Sequence, residues 1–190
     1  MCLAGKVPLG HVPNYLCVRR KHMKTIDFRD FYLEALLQGR PIEGGIKFSS
    51  EIDLKKLDMT LDSLKYIDNL LDKIRTANGP KENELEETAL QNFLYALCFY
   101  AGEVLSVTRG ENGIWMNFDE LMNYNPQVAN MAGGGFWCSI SVRHGDSLMF
   151  PLNAITTRLF EGPDEKSVHY SVMGFVGKTK KTKRWYQFWR

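Results

Sequence analysis

Between Leu90 and Leu105 the chain is apolar on nearly every side: Leu90, Phe93, Leu94, Ala96, Leu97, Cys98, Phe99, Ala101, Val104 and Leu105 fall within four turns. A helix that is hydrophobic all round has to be covered all round. The run therefore predicts a central helix over residues 83–108, with other elements packed about it. Glu84, Glu86 and Glu87 occupy its first turn, where the positive helix end favours acids. The segment before it has a different pattern. Over residues 52–76, Leu54, Leu57, Leu61, Leu64, Ile67, Leu70, Leu71 and Ile74 share one face, with Lys55, Lys56, Asp62, Lys65, Asp68 and Lys73 off it. That periodicity predicts a second long helix, amphipathic and stopped by Asn78-Gly79-Pro80. The short connection makes the two an antiparallel hairpin.

The flanking segments complete the class. Phe28, Phe31, Tyr32, Ala35 and Leu36 predict a short helix over 27–38, closed by Gly39. After the central helix the period changes from helical to alternating. Residues 114–118 and 136–142 read as strands, and His144-Gly145-Asp146 reads as the turn to a third strand at 147–150. A short helix or turn is expected at 119–131, broken by Gly133-Gly134-Gly135. Further helices are expected at 152–161 and from Pro163 to about Val176. Helices, then a strand meander, then helices again define an α+β fold: a long antiparallel helical hairpin on a small antiparallel sheet, with C-terminal helices. Residues 23–177 form this single domain. Residues 1–22 contain two prolines and no period, and precede a second methionine, Met23; they read as a flexible extension or as the product of a start codon upstream of the true one.

Lys and Arg number 24 and Asp and Glu 22, for a net +2 that conceals a strong polarity. Residues 1–24 hold Lys6, Arg19, Arg20, Lys21 and Lys24 and no acid. Residues 178–190 hold Lys178, Lys180, Lys181, Lys183, Arg184 and Arg190 and no acid. All the acids lie between, with the other 13 basic residues, so the body carries −9. No stretch approaches the roughly 20 apolar residues that a membrane-spanning helix requires. Residues 1–10 lack the apolar core of a signal peptide. The four cysteines have no metal-ligand or disulfide-framework spacing. These features predict a cytoplasmic protein with reduced thiols and without a metal site or cofactor.

Candidate polar residues are few. Glu103 lies in the buried helix, where an ionised carboxylate needs a partner; Arg143 and Arg158 are the expected ones. A general acid or base is the alternative, but one carboxylate without a second group is not a mechanism. His144 and His169 are the histidines of the body, and a small hydrolase would use Glu103 with one of them. Cys138, His144 and Asp146 can be drawn as a nucleophile set, although a core position and a hairpin turn account for the same residues. Gly174 to Thr179 lacks the glycine spacing of a phosphate loop, because Val172 stands where the first glycine should. The end of the chain joins Lys178, Lys180, Lys181, Lys183 and Arg184 to Trp185, Tyr186, Phe188 and Trp189. Cations among aromatics suit a nucleic acid or an anionic membrane; the competing reading packs the rings on the domain and leaves the lysines solvated.

The run from Leu90 to Val104, with Tyr100-Ala101-Gly102-Glu103-Val104 at its end and Trp115 beyond it, resembles small uncharacterised bacterial α+β proteins. In those a Tyr-x-Gly-Glu-Val motif closes a helix and leads to a strand bearing tryptophan. Residues 150–164 resemble their second pattern, with Pro151-Leu152-Asn153 departing from its usual order. The resemblance covers roughly residues 55–175. It implies that Glu103 and Arg158 matter to the fold, and some such proteins look like immunity or effector-associated proteins of bacterial competition. The resulting expectation is a non-catalytic protein-binding protein with an acidic body and a basic partner such as a cationic toxin.

Overall fold

The computed structural model describes residues 24–163 and 167–176. Residues 1–23, 164–166 and 177–190, which include the N-terminal extension and the basic-aromatic end of the chain, lie outside the described residues. The fold is α+β, with seven α-helices and a three-stranded antiparallel sheet among the described residues. Helix α1 spans Thr25–Gln38, α2 Leu61–Asn78, α3 Thr88–Arg109, α4 Phe118–Tyr124, α5 Pro126–Ala132, α6 Pro151–Phe160 and α7 Val168–Val176. Strands β1 Ile114–Asn117, β2 Ile140–His144 and β3 Ser147–Met149 pair in that order. None of the described helices is long and apolar enough to cross a membrane.

Helix α3 is the axis of the molecule. From Leu90 to Ser106 only Gln91, Tyr95 and Glu103 escape full burial, and each large apolar side chain so covered stabilises the fold by roughly 1.5–3 kcal/mol. Helices α1, α2, α6 and α7 pack around it. The helix ends at Gly110, whose positive φ of 63° lets its N–H turn back to the Ser106 and Val107 carbonyls.

The amphipathic segment before α3 is shorter as a helix than its apolar period predicts. Leu54–Lys56 is a separate 3₁₀ turn, and α2 begins only at Leu61. The break is chemical. The Asp58 carboxylate accepts from the Thr60 N–H and hydroxyl at 3.1 and 2.6 Å, and Thr60 Oγ1 accepts the Ser63 N–H at 3.3 Å, an N-cap. Met59 adopts φ 62°, which no helix interior allows. Its N–H is taken by Tyr100 Oη at 3.0 Å, and that hydroxyl donates to Ser63 Oγ at 2.7 Å. Leu54 is consequently 47% exposed, whereas Leu57 still reaches the core.

The remaining boundaries shift for similar reasons. Glu82–Glu86 is a 3₁₀ turn ahead of α3. Strand β1 stops at Asn117 because that residue caps α4: Oδ1 accepts the Glu120 N–H at 2.9 Å and Glu120 Oε2 accepts the Asn117 N–H at 2.8 Å. Phe136–Cys138 is a 3₁₀ turn rather than strand; Ser139 is α-like, and alternation becomes pairing only from Ile140. Helix α7 opens at Val168, not Pro163, because its capping carboxylate is Asp68 of α2. Oδ1 accepts the Val168 N–H at 2.8 Å and Oδ2 the Ser167 hydroxyl at 2.6 Å. Asp68, placed by periodicity on the outer face, is thus only 6% exposed.

The sheet register opposes Trp115 to Val142 and Val142 to Met149, and these side chains join the main core. Met116 faces the other way and forms a smaller cluster with Leu121 and Ala129, roofed by α4 and α5. The sheet is therefore a partition between a large helical core and a thin second layer. Trp115 crosses to α3, where its ring lies on Gly102; a Cβ there would stand 2.3 Å from the ring.

Candidate functional site: an aromatic groove with an acidic side

A groove of about 320 Å³ opens where the helical core, the sheet and the second layer meet. Helix α1 presents Thr25, Phe28 and Tyr32 to it, at three- and four-residue spacings that fall on one face. Helix α3 adds Tyr95 and Phe99, four residues apart. The β1–α4 junction supplies Asn117, Phe118 and Asp119, and Ser139 and Ile140 close the remaining wall. The rings support one another: Tyr32 stacks on Phe99 with centroids 5.7 Å apart and 20° between planes, and Tyr95 lies 5.6 Å from Tyr32 and 5.2 Å from Phe136. Phe99 is braced from behind by Trp115 at 4.9 Å.

Polar groups set the walls. The Tyr32 hydroxyl donates to Asn92 Oδ1 at 3.0 Å, and Asn92 Nδ2 donates to the Glu43 and Gly45 carbonyls at 2.9 and 2.8 Å, fixing the loop after α1. Tyr95 Oη lies 3.3 Å from Ser139 Oγ. Thr25 Oγ1 donates to Glu120 Oε2 at 2.5 Å, tying α1 to α4 across the groove. Asp119 is exposed and makes no ion pair among the described residues. The described lining thus holds one carboxylate and no basic side chain.

The polar residues singled out in the sequence lie elsewhere and have separate partners. Glu103 pairs with neither Arg143 nor Arg158. Its carboxylate meets Arg29 of α1, Oε2 to Nη1 3.3 Å, with the two side chains 18% and 19% exposed. Position 103 is on the side of α3 that α1 covers, so the partner comes from the first helix. Arg158 grips Asp72 of α2 through two hydrogen bonds of 2.9 and 2.5 Å and donates to the Pro163 carbonyl at 3.2 Å. Arg143 lies on the outer sheet face, 4.7 Å above the Tyr124 ring, and donates to the Gly145 carbonyl at 3.0 Å.

His169 sits in the first turn of α7, its N–H 3.3 Å from Asp68 Oδ2 and its ring against Tyr170. Cys138 is buried in the 3₁₀ turn before β2 and Asp146 is exposed in the hairpin, so the Cys-His-Asp set is not assembled around His144. The basic and aromatic residues Lys178, Lys180, Lys181, Lys183, Arg184, Trp185 and Trp189 lie outside the described residues.

One arrangement had no signal in the sequence. His144 Nε2 is 3.5 Å from Ser106 Oγ, and its Nδ1 is 3.6 Å from Glu111 Oε1. Glu111 also lies 2.5 Å from Arg109 Nε, and Arg109 Nη1 donates to the Phe175 carbonyl at 3.2 Å. The order of groups is that of a serine hydrolase relay, but the space a substrate would need is filled. Ser106 donates to the Gly102 carbonyl at 3.1 Å, and Gly113 presses so closely that a Cβ there would be 2.8 Å from His144 Nε2. Burial, then the Arg109 charge, holds the imidazole pKa below its ordinary value, against an opposing pull from Glu111. The group is a neutral core histidine joining α3 to β2.

Among the described residues no three His, Cys, Asp or Glu side chains converge as metal ligands would. Comparison with protein-family models, curated proteins and solved structures yields no match to this chain, so the groove and the charge of the body carry the functional reading.

Proposed function

We propose that this protein works by binding a basic protein, without catalysis, and that its acidic body steers the encounter. The supporting observation is the charge of the described residues: 20 acids against 13 bases, a net −7. Much of the basic complement is already engaged. Arg29, Arg40, Lys47, Lys65, Lys73, Arg109 and Arg158 all sit in ion pairs. Glu82, Glu86, Asp119 and Asp146 are exposed and make no ion pair among the described residues. A surface of this kind raises the association rate of a cationic partner and repels acidic ones. A cationic toxin has the required chemistry, and some of the bacterial proteins that this chain resembles look like immunity proteins.

The test is affinity capture with the full chain at about 20 mM and about 300 mM salt, since the Debye length shrinks with ionic strength. Specific partners of high isoelectric point, released by the higher salt, are the expected result. Recovery only of acidic partners, or of partners indifferent to salt, would overturn the proposal.

A further inference from the structure

We infer that this protein also binds anionic membrane surfaces, through the outer face of α7 together with the basic, aromatic run that follows it in the chain; this is independent of the reading above. The first observation is structural. Tyr170, Met173 and Gly174 share one face of α7, at three- and four-residue spacings, and that face is open to solvent. Tyr170 is 76% exposed and Met173 40%, and a Cβ at Gly174 would meet nothing within 4 Å. The opposite face, Val168 and Val172, is fully buried in the core. Helix α7 is thus apolar on both sides and covered on one. The second observation is in the sequence. Helix α7 ends at Val176, and residues 178–190 set six basic residues and no acid among Trp185, Tyr186, Phe188 and Trp189. An anionic bilayer has the complementary charge, and its headgroup layer accepts Trp and Tyr rings.

Cations and rings alone would also suit a nucleic acid, and α7 separates the two ligands. Its nine residues include no Lys, Arg, Asp or Glu, so its exposed face has no cation to give a phosphate backbone. Asp62 and Lys65 of α2, whose fields reach His169 and Tyr170, pair with each other at 2.7 Å and add no net charge beside it. An apolar ridge with cations following it is what the boundary between headgroups and acyl chains accepts. The described body, at net −7, is repelled by the same surface, which confines contact to this end of the chain.

The test is co-sedimentation of the full chain with vesicles of phosphatidylcholine alone, and of equal parts phosphatidylcholine and phosphatidylglycerol, at low and high salt. Binding to the anionic vesicles only, weakened by salt, is the expected result. A chain ending at Gly177 should not bind. Lys180→Gln with Lys181→Gln should weaken binding by about fivefold for each cation removed. Tyr170→Ser with Met173→Ser should weaken it about tenfold and leave the salt dependence unchanged, because apolar contact is lost and no charge. Should that pair lower the thermal midpoint, Tyr170→Ser alone decides, with an expected loss of about threefold. Equal binding to neutral vesicles, binding to neither, or α7 variants that bind as the unaltered chain does would each overturn the proposal. So would a mixed-sequence single-stranded DNA that displaces the protein from the vesicles and binds the α7 variants undiminished, since the end of the chain would then be a nucleic-acid site. The basic partner is taken by the body, so the chain ending at Gly177 should keep its salt-dependent capture whatever the vesicles show.

Discussion

His144 shows how a single buried side chain couples this fold to pH. Its ring is packed against Ser106 and Gly113, its Nδ1 has no hydrogen-bond partner among the described residues, and Glu111 stands 3.6 Å away on the exposed rim. Burial and Arg109 depress its pKa, so the unfolded chain, with an ordinary value near 6.5, takes up the proton first. Stability from this residue is therefore complete above the ordinary value. It is lost as the pH falls through the depressed one. Urea unfolding followed from pH 7.5 to 5 should show a decline that His144→Gln removes; a decline of equal size in the variant would place its origin elsewhere. Acids such as Asp62 and Glu84, whose pKa values are lowered mainly by Lys65 and by the Lys81 N–H respectively, act at more acidic pH and do not mask this window. Nothing local in the sequence marks His144 as buried, since His144-Gly145-Asp146 is an ordinary turn. The same holds for Glu103 and Arg29, which are separated by 74 positions and meet only because α1 lies across α3.

At the scale of elements, what was legible followed from periodicity, and what was not followed from side-chain capping between distant segments. Helix α3 was readable because ten apolar residues leave it no exposed face. The start of α2 was not, because the leucine period runs on through Leu54 and Leu57 while Asp58, Met59 and Thr60 interrupt the backbone. The start of α7 was hidden for a related reason: its cap, Asp68, belongs to another helix. The groove was missed because Phe28 and Tyr32, like Tyr95 and Phe99, carry the four-residue spacing of ordinary core positions. The contact between α3 and β1 offers a direct test of packing against propensity. Alanine favours a helix interior over glycine by about 1 kcal/mol, so Gly102→Ala would stabilise an unconstrained helix. Here its Cβ would sit 2.3 Å from Trp115 Cη2 and 2.6 Å from Cζ2. Overpacking of this kind costs about 1–3 kcal/mol, which outweighs the gain. Chemical denaturation should show Gly102→Ala less stable than the parent, and Trp115→Leu should relieve the effect of the added methyl in the double variant. A stabilised single variant would mean that the ring moves aside freely.

The whole molecule is divided unequally by its sheet, and that division predicts where it opens. On one side lies the main core, built on α3 and the four helices around it; on the other, the buried apolar cluster among the described residues is Met116, Leu121 and Ala129, at α4 and α5. Local opening free energy follows the apolar contact that must be broken. The α4–α5 layer should therefore exchange its amide protons through a local opening, while α3 exchanges only when the entire domain unfolds. Both helices are seven residues long, so neither retains structure without the cluster below it. Hydrogen exchange followed by mass spectrometry should show peptides from residues 118–132 losing protection well before those from 90–106; equal protection would make the two layers one cooperative unit.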